Sequence, residues 1–136
     1  MRNKPILCLD FDGVIHSYTS GWKGARNIPD PPVEGALDFI STALSFDWDV
    51  VIHSSRARYW GGISAMRAWL QKHAGNQWGT MGPSFCEVRF ARWKPSALVT
   101  IDDRALTFTG VWPDFQSLKN FRPWNKPPRG ASNAES

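Results

Sequence analysis

The chain has 136 residues, enough for one domain with one hydrophobic core. Its net charge of +4 and its eight tryptophans fit a polyanionic partner such as nucleic acid, although packing in the core and loops explains most tryptophans more simply. The two cysteines, Cys8 and Cys86, lie in apolar runs, which excludes a disulfide framework or a zinc site. The first apolar run is too short for a signal peptide or a membrane span, so we expect a soluble cytoplasmic protein with no membrane partner.

The first strand ends in a pair of carboxylates. Residues 6–9 are continuously apolar, which predicts a strand buried on both faces. Asp10 and Asp12 follow it and point the same way if the chain stays extended, because side chains alternate with period two. Gly13 then allows a sharp turn or a close approach to a ligand. Taken alone, this pattern fits a solvated acidic turn equally well.

The rest of the chain predicts alternating strands and helices. In order these are a small hairpin at 14–18, a loop at 19–32, a helix at 33–46, a strand at 50–52, a helix after residues 61–62, a loop at 75–83, strands at 85–90 and 97–101, a short hairpin strand at 106–111 and a helix at 113–121. The alternation predicts an α/β fold, a three-layer Rossmann-like parallel sheet with helices on both faces. Residues 1–121 form the expected domain, and 122–136 an irregular or disordered tail.

Polar clusters follow three of the predicted strands. They are Asp10 with Asp12, Ser54 with Ser55 and Arg56, and Asp102 with Asp103. The carboxyl ends of parallel strands meet at one edge of a sheet, where open α/β sheets bind their ligands. Four carboxylates gathered there repel one another unless protons or a cation neutralise them, and an oxygen-only cluster suits Mg²⁺. Lys94 is the best-placed cation within the chain.

In this order and spacing, the motifs resemble those of the haloacid dehalogenase-like (HAD) phosphatase superfamily. The motifs are DFDGV at 10–14, a strand ending in Ser54, Lys94, and an apolar strand ending in Asp102-Asp103, and the resemblance spans about 6–121. His53 departs from the pattern, because it stands where the family has an apolar residue.

The resemblance implies a Mg²⁺-dependent phosphomonoesterase that works through an aspartyl-phosphate. Asp10 resembles the nucleophile and is also a metal ligand. Asp12 resembles the acid that protonates the leaving oxygen and later deprotonates the attacking water, and its backbone carbonyl would also bind the metal.

The other motifs imply contacts to the phosphoryl group and the metal. Ser54 resembles the residue that hydrogen-bonds a phosphoryl oxygen, although Ser55 could serve instead. Lys94 would neutralise charge on Asp10 and on the transferred group. Asp103 is the expected direct metal ligand and Asp102 the expected partner of Lys94, but the paired-aspartate motif leaves this division open.

The segment after the second strand also resembles the phosphatase domain of polynucleotide end-repair enzymes. Arg56 suits bidentate phosphate binding, so we place it with Ser55 and Gly13 among the substrate-binding residues. A surface arginine paired with a nearby carboxylate is an equally good interpretation. His16 and His53 are expected to be structural rather than ligands.

The chain has no room for a large cap domain, which predicts an open site that admits phosphates on large molecules. Positive charge and aromatic residues favour a nucleotide or nucleic-acid end, with Trp22, Lys23 and Arg26 as candidate contacts. The segment 58–60, Arg58-Tyr59-Trp60, either lines the substrate mouth or packs as a loop. No obligate protein partner is evident.

The alternative is a phosphate- or nucleic-acid-binding module that uses the same acidic site without turnover. Receiver domains also combine an acidic cluster, a hydroxyl and a lysine, but their nucleophile lies in the middle of the chain. A degenerate enzyme core that only binds nucleic acid finds no support, because every motif residue is present. The sequence therefore favours hydrolysis.

Overall fold

The computed structural model describes residues 3–75 and 85–126. Its strands are β1 (Ile6–Leu9), β2 (Asp49–His53), β3 (Arg89–Ala91) and β4 (Val99–Ile101). Its helices are α1 (Ala36–Ser45), α2 (Gly62–Ala74) and α3 (Phe115–Lys119), with short 3₁₀ helices at Ser55–Arg58 and Phe85–Glu87. The strands form one sheet in the order β3-β2-β1-β4, and every pairing is parallel. The predicted α/β class and parallel sheet are confirmed.

The central pair of strands is buried because its residues are apolar without interruption. Leu7 pairs with Val50 and Leu9 with Ile52 across β1 and β2, and all four side chains are buried in the core. A parallel pair needs a crossover between its strands, which α1 supplies between β1 and β2, and α2 between β2 and β3. The core therefore fixes the carboxyl ends of neighbouring strands at one edge.

Helices α1 and α2 cover one face of the sheet. Ile40 and Leu44 of α1, and Met66 and Leu70 of α2, join the same core cluster as the inward-facing residues of β1 and β2. Helix α3 buries no residue. Helix α1 begins later than the predicted residue 33, because Gly35 precedes it in a left-handed conformation with φ of 84°.

Three predicted strands differ in the structure. Residues 85–90 do not form a strand throughout, because Phe85 and Val88 turn into the core and β3 begins only at Arg89. Residues 14–18 form a turn with isolated bridges instead of a hairpin. The predicted strand at 106–111 is wrong, because these described residues form no ladder with the edge strand β4 and are irregular.

Two predicted segments extend beyond the described residues. The loop at 75–83 lies almost wholly in the gap, and the tail at 122–136 is described only as far as residue 126. Within 3–75 and 85–126, no helix combines the length and apolar character that a membrane crossing requires.

Candidate metal centre and active site

Three carboxylates meet at the carboxyl edge of the sheet. Asp10 directly follows β1, and Asp102 and Asp103 follow the neighbouring β4. The backbone N–H of Asp10 donates to the carbonyl of Ile101 at 3.0 Å, which continues the strand pairing up to the acidic residues. One carboxylate oxygen from each of the three aspartates lies within 4.8 Å of the others. The predicted convergence of Asp10, Asp102 and Asp103 is confirmed.

Two members of this acidic cluster (Asp10, Asp102 and Asp103) have raised pKa values, namely Asp10 and Asp103. Burial raises the pKa of Asp10 from 3.8 to about 7; a backbone hydrogen bond at Phe11 opposes this rise, and the neighbouring carboxylates add to it. Burial likewise raises the pKa of Asp103, against a hydrogen bond that it shares with Asp10. Oδ1 of Asp103 is buried and has no partner among the described residues. The cluster therefore favours a bound proton or cation over three free charges.

The turn at Gly13 closes one side of the acidic cluster. Gly13 has a φ of +85°, and a Cβ at this position would overlap the carboxylate of Asp103, so no other residue fits. Its carbonyl accepts a hydrogen bond from the indole Nε1 of Trp124 at 2.8 Å. Gly13, Asp102, Asp103 and Trp124 line a small cavity of about 250 Å³ beside the cluster.

The carboxylate of Asp12 is held by two buried side chains instead of joining the acidic cluster. Nε of Arg56 donates to both of its oxygens, at 3.1 and 2.9 Å. Nδ1 of His16 lies 2.8 Å from Oδ1, while Nε2 accepts the backbone N–H of Asp30 at 3.1 Å. Because Nε2 is the acceptor, Nδ1 carries the proton and donates it to Asp12. The backbone-carbonyl contact predicted between Asp12 and a metal stays a prediction.

Arg56 is fully buried and connects Asp12 to the loop at 19–32. Nη1 donates to the carbonyls of Gly24 and Ala25 at 2.9 and 3.0 Å, and the guanidinium lies 4.9 Å from the ring centre of Trp22. Arg56 is thus paired with a carboxylate, as one interpretation had it, but in the interior instead of on the surface. Nη2 is buried without a partner in the described part of the chain. The predicted phosphate contact by Arg56 stays a prediction.

The remaining predicted residues differ in exposure. Ser54 directly follows β2, is 5% exposed, and accepts the backbone N–H of Arg56 through Oγ at 3.1 Å. Ser55 and Lys94 are exposed. Burial raises the pKa of the Cys8 thiol, and the charge of Lys94 opposes this rise. The predicted contacts of Lys94 with Asp10 and Asp102 stay predictions.

A basic and aromatic groove lies beside the segment that follows β2 and the start of α2. Arg26, Tyr59, Trp60 and Arg92 line it, in a volume of about 770 Å³ that also includes the first turn of α2. The guanidinium of Arg26 lies 5.3 Å from the ring centre of Trp60. Arg92 follows β3 directly, so the groove opens at the same carboxyl edge as the cluster.

No family model, curated protein or solved structure matches this chain. The functional argument therefore depends on the residues of the chain itself.

Sequence reasoning missed two features of the site. The first is the contact of Trp124 with Gly13, from a segment assigned to the tail; a tryptophan among polar and proline residues was the available signal. The second is the bond from His16 to Asp12, which a spacing of four residues after a sharp turn allows. In the described residues His16 contacts Asp12 and not the acidic cluster, and its expected structural role stays a prediction.

Proposed function

We propose that the protein is a Mg²⁺-dependent phosphomonoesterase of the HAD type. The observation that carries the proposal is the convergence of Asp10, Asp102 and Asp103 within 4.8 Å, with one buried carboxylate oxygen of Asp103 that has no partner in the described part of the chain. A three-layer Rossmann-like sheet without a large cap, and a cytoplasmic location, belong to the same proposal. The parallel sheet, with its crossover helices α1 and α2, supports the fold.

The donor set suits a hard divalent cation. Mg²⁺ prefers oxygen ligands, keeps several waters and binds substrate phosphate, which matches an all-carboxylate cluster that is partly open to solvent. Asp10, Asp102 and Asp103 would hold it, with the backbone carbonyl of Asp12. When bound, the cation offsets the negative charge that otherwise opposes attack on a phosphate dianion.

The chain supplies the nucleophile and the proton carrier. An oxygen of Asp10 attacks phosphorus and forms the aspartyl-phosphate, while the bond from phosphorus to the ester oxygen breaks. Asp12, in its carboxylic acid form, gives that leaving oxygen its proton and becomes a carboxylate. A water then attacks phosphorus, Asp12 takes its proton, and the bond to Asp10 breaks to release inorganic phosphate. Arg56 and His16 fix the direction of the Asp12 carboxylate throughout.

Two further residues would stabilise the transferred group. The hydroxyl of Ser54 accepts one backbone N–H, which leaves its own proton free to bond a phosphoryl oxygen. Lys94 is exposed and reaches the site as a mobile charge. Ser55 and Gly13 complete the proposed substrate contacts.

The test is phosphate release from p-nitrophenyl phosphate with Mg²⁺, comparing wild type with Asp10→Asn. We expect release that requires Mg²⁺ and that falls by at least about a thousandfold in the variant, because the nucleophile is lost. Asp38→Asn removes an exposed carboxylate on α1 and is the matched control. Turnover by Asp10→Asn close to wild type would refute the assigned nucleophile.

A module that binds phosphate without hydrolysis is the second candidate. The ion pair that fixes Asp12 within the interior is compatible with a rigid binding pocket. Binding of Mg²⁺ and inorganic phosphate without release from any phosphomonoester would favour this candidate over the enzyme.

A further inference from the structure

We propose that the groove of Arg26, Tyr59, Trp60 and Arg92 binds the single-stranded nucleic acid whose terminal phosphate lies at the acidic cluster. The inference rests on the proposed phosphatase function and names its substrate class. The groove combines two cations and two exposed aromatic rings, and no carboxylate is among its lining residues. Nucleic acid presents both matching features, phosphates for the cations and bases for the rings.

Trp60 offers a better stacking surface than Trp22. It is 86% exposed, with the Arg26 guanidinium beside its ring. Trp22, which the sequence singled out, is 47% exposed and already contacts the buried guanidinium of Arg56 and the ring of Tyr59, 5.9 Å away. Trp22 therefore supports the groove, while Trp60 is free to stack on a base.

The position of the groove fits a chain that runs along the carboxyl edge. The groove lies by β3 and the segment after β2, and Asp10 follows β1, two strands away in the sheet order. Neighbouring strands are about 4.8 Å apart, so the ends of β3 and β1 are separated by about 10 Å. A nucleotide or two beyond the terminal phosphate can span that separation, whereas a small phosphate ester cannot.

The arginines would contact the backbone of such a chain. Arg26 packs its side chain against Gly61, where a Cβ would overlap it, so its guanidinium is directed by the start of α2. Arg92 donates to the carbonyl of Ala57 at 3.4 Å and is otherwise exposed. Both arginines retain N–H donors for phosphate oxygens, because a guanidinium has five.

Binding is measured first without turnover. A fluorescein-labelled, phosphorylated ten-nucleotide single strand is titrated with protein in EDTA, followed by anisotropy, beside an abasic strand of equal length and charge. We expect Trp60→Ala to weaken binding of the base-containing strand about tenfold and to leave the abasic strand unchanged. Trp112→Ala is the matched control, since Trp112 is 82% exposed on a different surface. Equal affinity of wild type for the two strands would overturn the proposal.

The arginine contacts have their own readout. Arg92→Gln is expected to weaken both strands equally and to reduce the salt slope of log K by about 0.7, whereas Lys119→Gln, on α3, leaves the slope unchanged. An unchanged slope in Arg92→Gln would remove Arg92 from the interface. Unchanged far-UV circular dichroism of each variant confirms that the fold persists.

Turnover then separates failure of the groove from failure of the enzyme. We expect Trp60→Ala to raise KM about tenfold for the phosphorylated strand, and Trp112→Ala, on a different surface, to leave that KM unchanged. Release from p-nitrophenyl phosphate with no preference for the strand over a mononucleotide overturns the groove alone. Base-dependent binding without any release overturns the enzyme and keeps the groove.

Discussion

At the scale of single residues, Arg56 shows how a buried charge can organise a site. Its guanidinium is wholly inside the protein, paired with Asp12 and bonded to carbonyls of the loop at 19–32. A buried ion is costly unless its partners are present, so removal of one partner is more damaging than the net value of the pair suggests. The Arg56 side chain therefore orients the Asp12 carboxylate and also holds the loop in place.

We expect Arg56→Ala to lower the free energy of unfolding by about 3–5 kcal/mol, because it leaves the Asp12 carboxylate without its charge partner. Urea unfolding measures the loss. Arg89→Ala is the matched control, since Arg89 pairs with Asp49 on the surface and such pairs contribute at most about 1 kcal/mol. Equal losses in the two variants would contradict the structural role of Arg56.

The raised pKa of Asp10 predicts how stability depends on pH. Its folded value of about 7 lies above the ordinary 3.8, so between these values the folded state holds the proton more tightly than the unfolded state. The stabilisation is complete below the ordinary value and is lost as pH rises through about 7. In EDTA, we expect the melting temperature to fall between pH 5 and pH 8 by more in wild type than in Asp10→Asn.

Mg²⁺ added at pH 8 should recover that loss in wild type and not in Asp10→Asn, because the cation replaces the proton. Asp38→Asn should keep the wild-type dependence on pH. Identical pH profiles for wild type and Asp10→Asn would show that Asp10 keeps an ordinary pKa in the folded protein.

The positions of the acidic residues were predictable because they directly follow apolar strands. The local run of apolar residues predicts where each of these strands ends. Asp10, Asp102 and Asp103 converge for that reason alone. The pairing of Arg56 with Asp12 joins positions 44 apart and depends on how the loop folds over them, which no local pattern encodes.

At the scale of elements, α2 holds the loop at 19–32 against the sheet. Trp69 of α2 packs edge-on against Phe11 at 5.1 Å and against His16 at 5.6 Å. Its Nε1 donates to the carbonyl of Asp30 at 3.1 Å, within the loop. One tryptophan thus connects a helix, the first turn after β1 and the end of the loop.

We expect Trp69→Phe to lower the free energy of unfolding by about 1–3 kcal/mol, since an aromatic ring remains but the buried carbonyl of Asp30 loses its donor. Hydrogen exchange should then quicken in residues 19–32 more than in β1 or β2. Lys72→Ala, on the exposed side of α2, should change neither measurement. Unchanged exchange in the loop would mean that α2 does not hold it.

Periodicity predicted the elements whose position depends on burial in the core. It predicted less well the segments whose structure depends on pairing with another strand. The apolar runs of β1 and β2 lie at the centre of the sheet and appear as expected. The run at 106–111 is less apolar, because Thr107, Thr109 and Gly110 interrupt it. Although β4 is an edge strand of the described sheet, the run forms no ladder with it and is irregular. The β-propensity of a segment does not indicate whether that segment pairs with a strand of the sheet.

At the scale of the whole molecule, the apolar surface is uneven. Exposed large apolar side chains concentrate in and after β4, at Leu98, Val99, Ile101, Leu106, Phe108, Val111, Trp112, Phe115 and Leu118. Several of them line one open groove of about 970 Å³. A continuous exposed apolar surface of this kind is uncommon on a monomer and favours association.

We expect the folded protein to bind the dye ANS, and the double variant Trp112→Ser/Phe115→Ser to reduce the fluorescence several-fold, because both rings are more than four-fifths exposed on this surface. Trp60→Ser removes an equally exposed ring elsewhere and is the control. If the fluorescence falls equally in both variants, the dye does not bind preferentially to this apolar surface.

The bond from Trp124 to Gly13 spans 111 residues, and that from Asn125 to Ser17 spans 108. A growing polypeptide can pair β1 with β2 and pack α1 before β4 and residues 102–125 have been synthesised. Contacts of such long sequence separation form slowly. Each newly made molecule therefore passes through a period in which β1 and β2 are paired and the acidic cluster is incomplete, and the cluster forms only after β4 has joined the sheet.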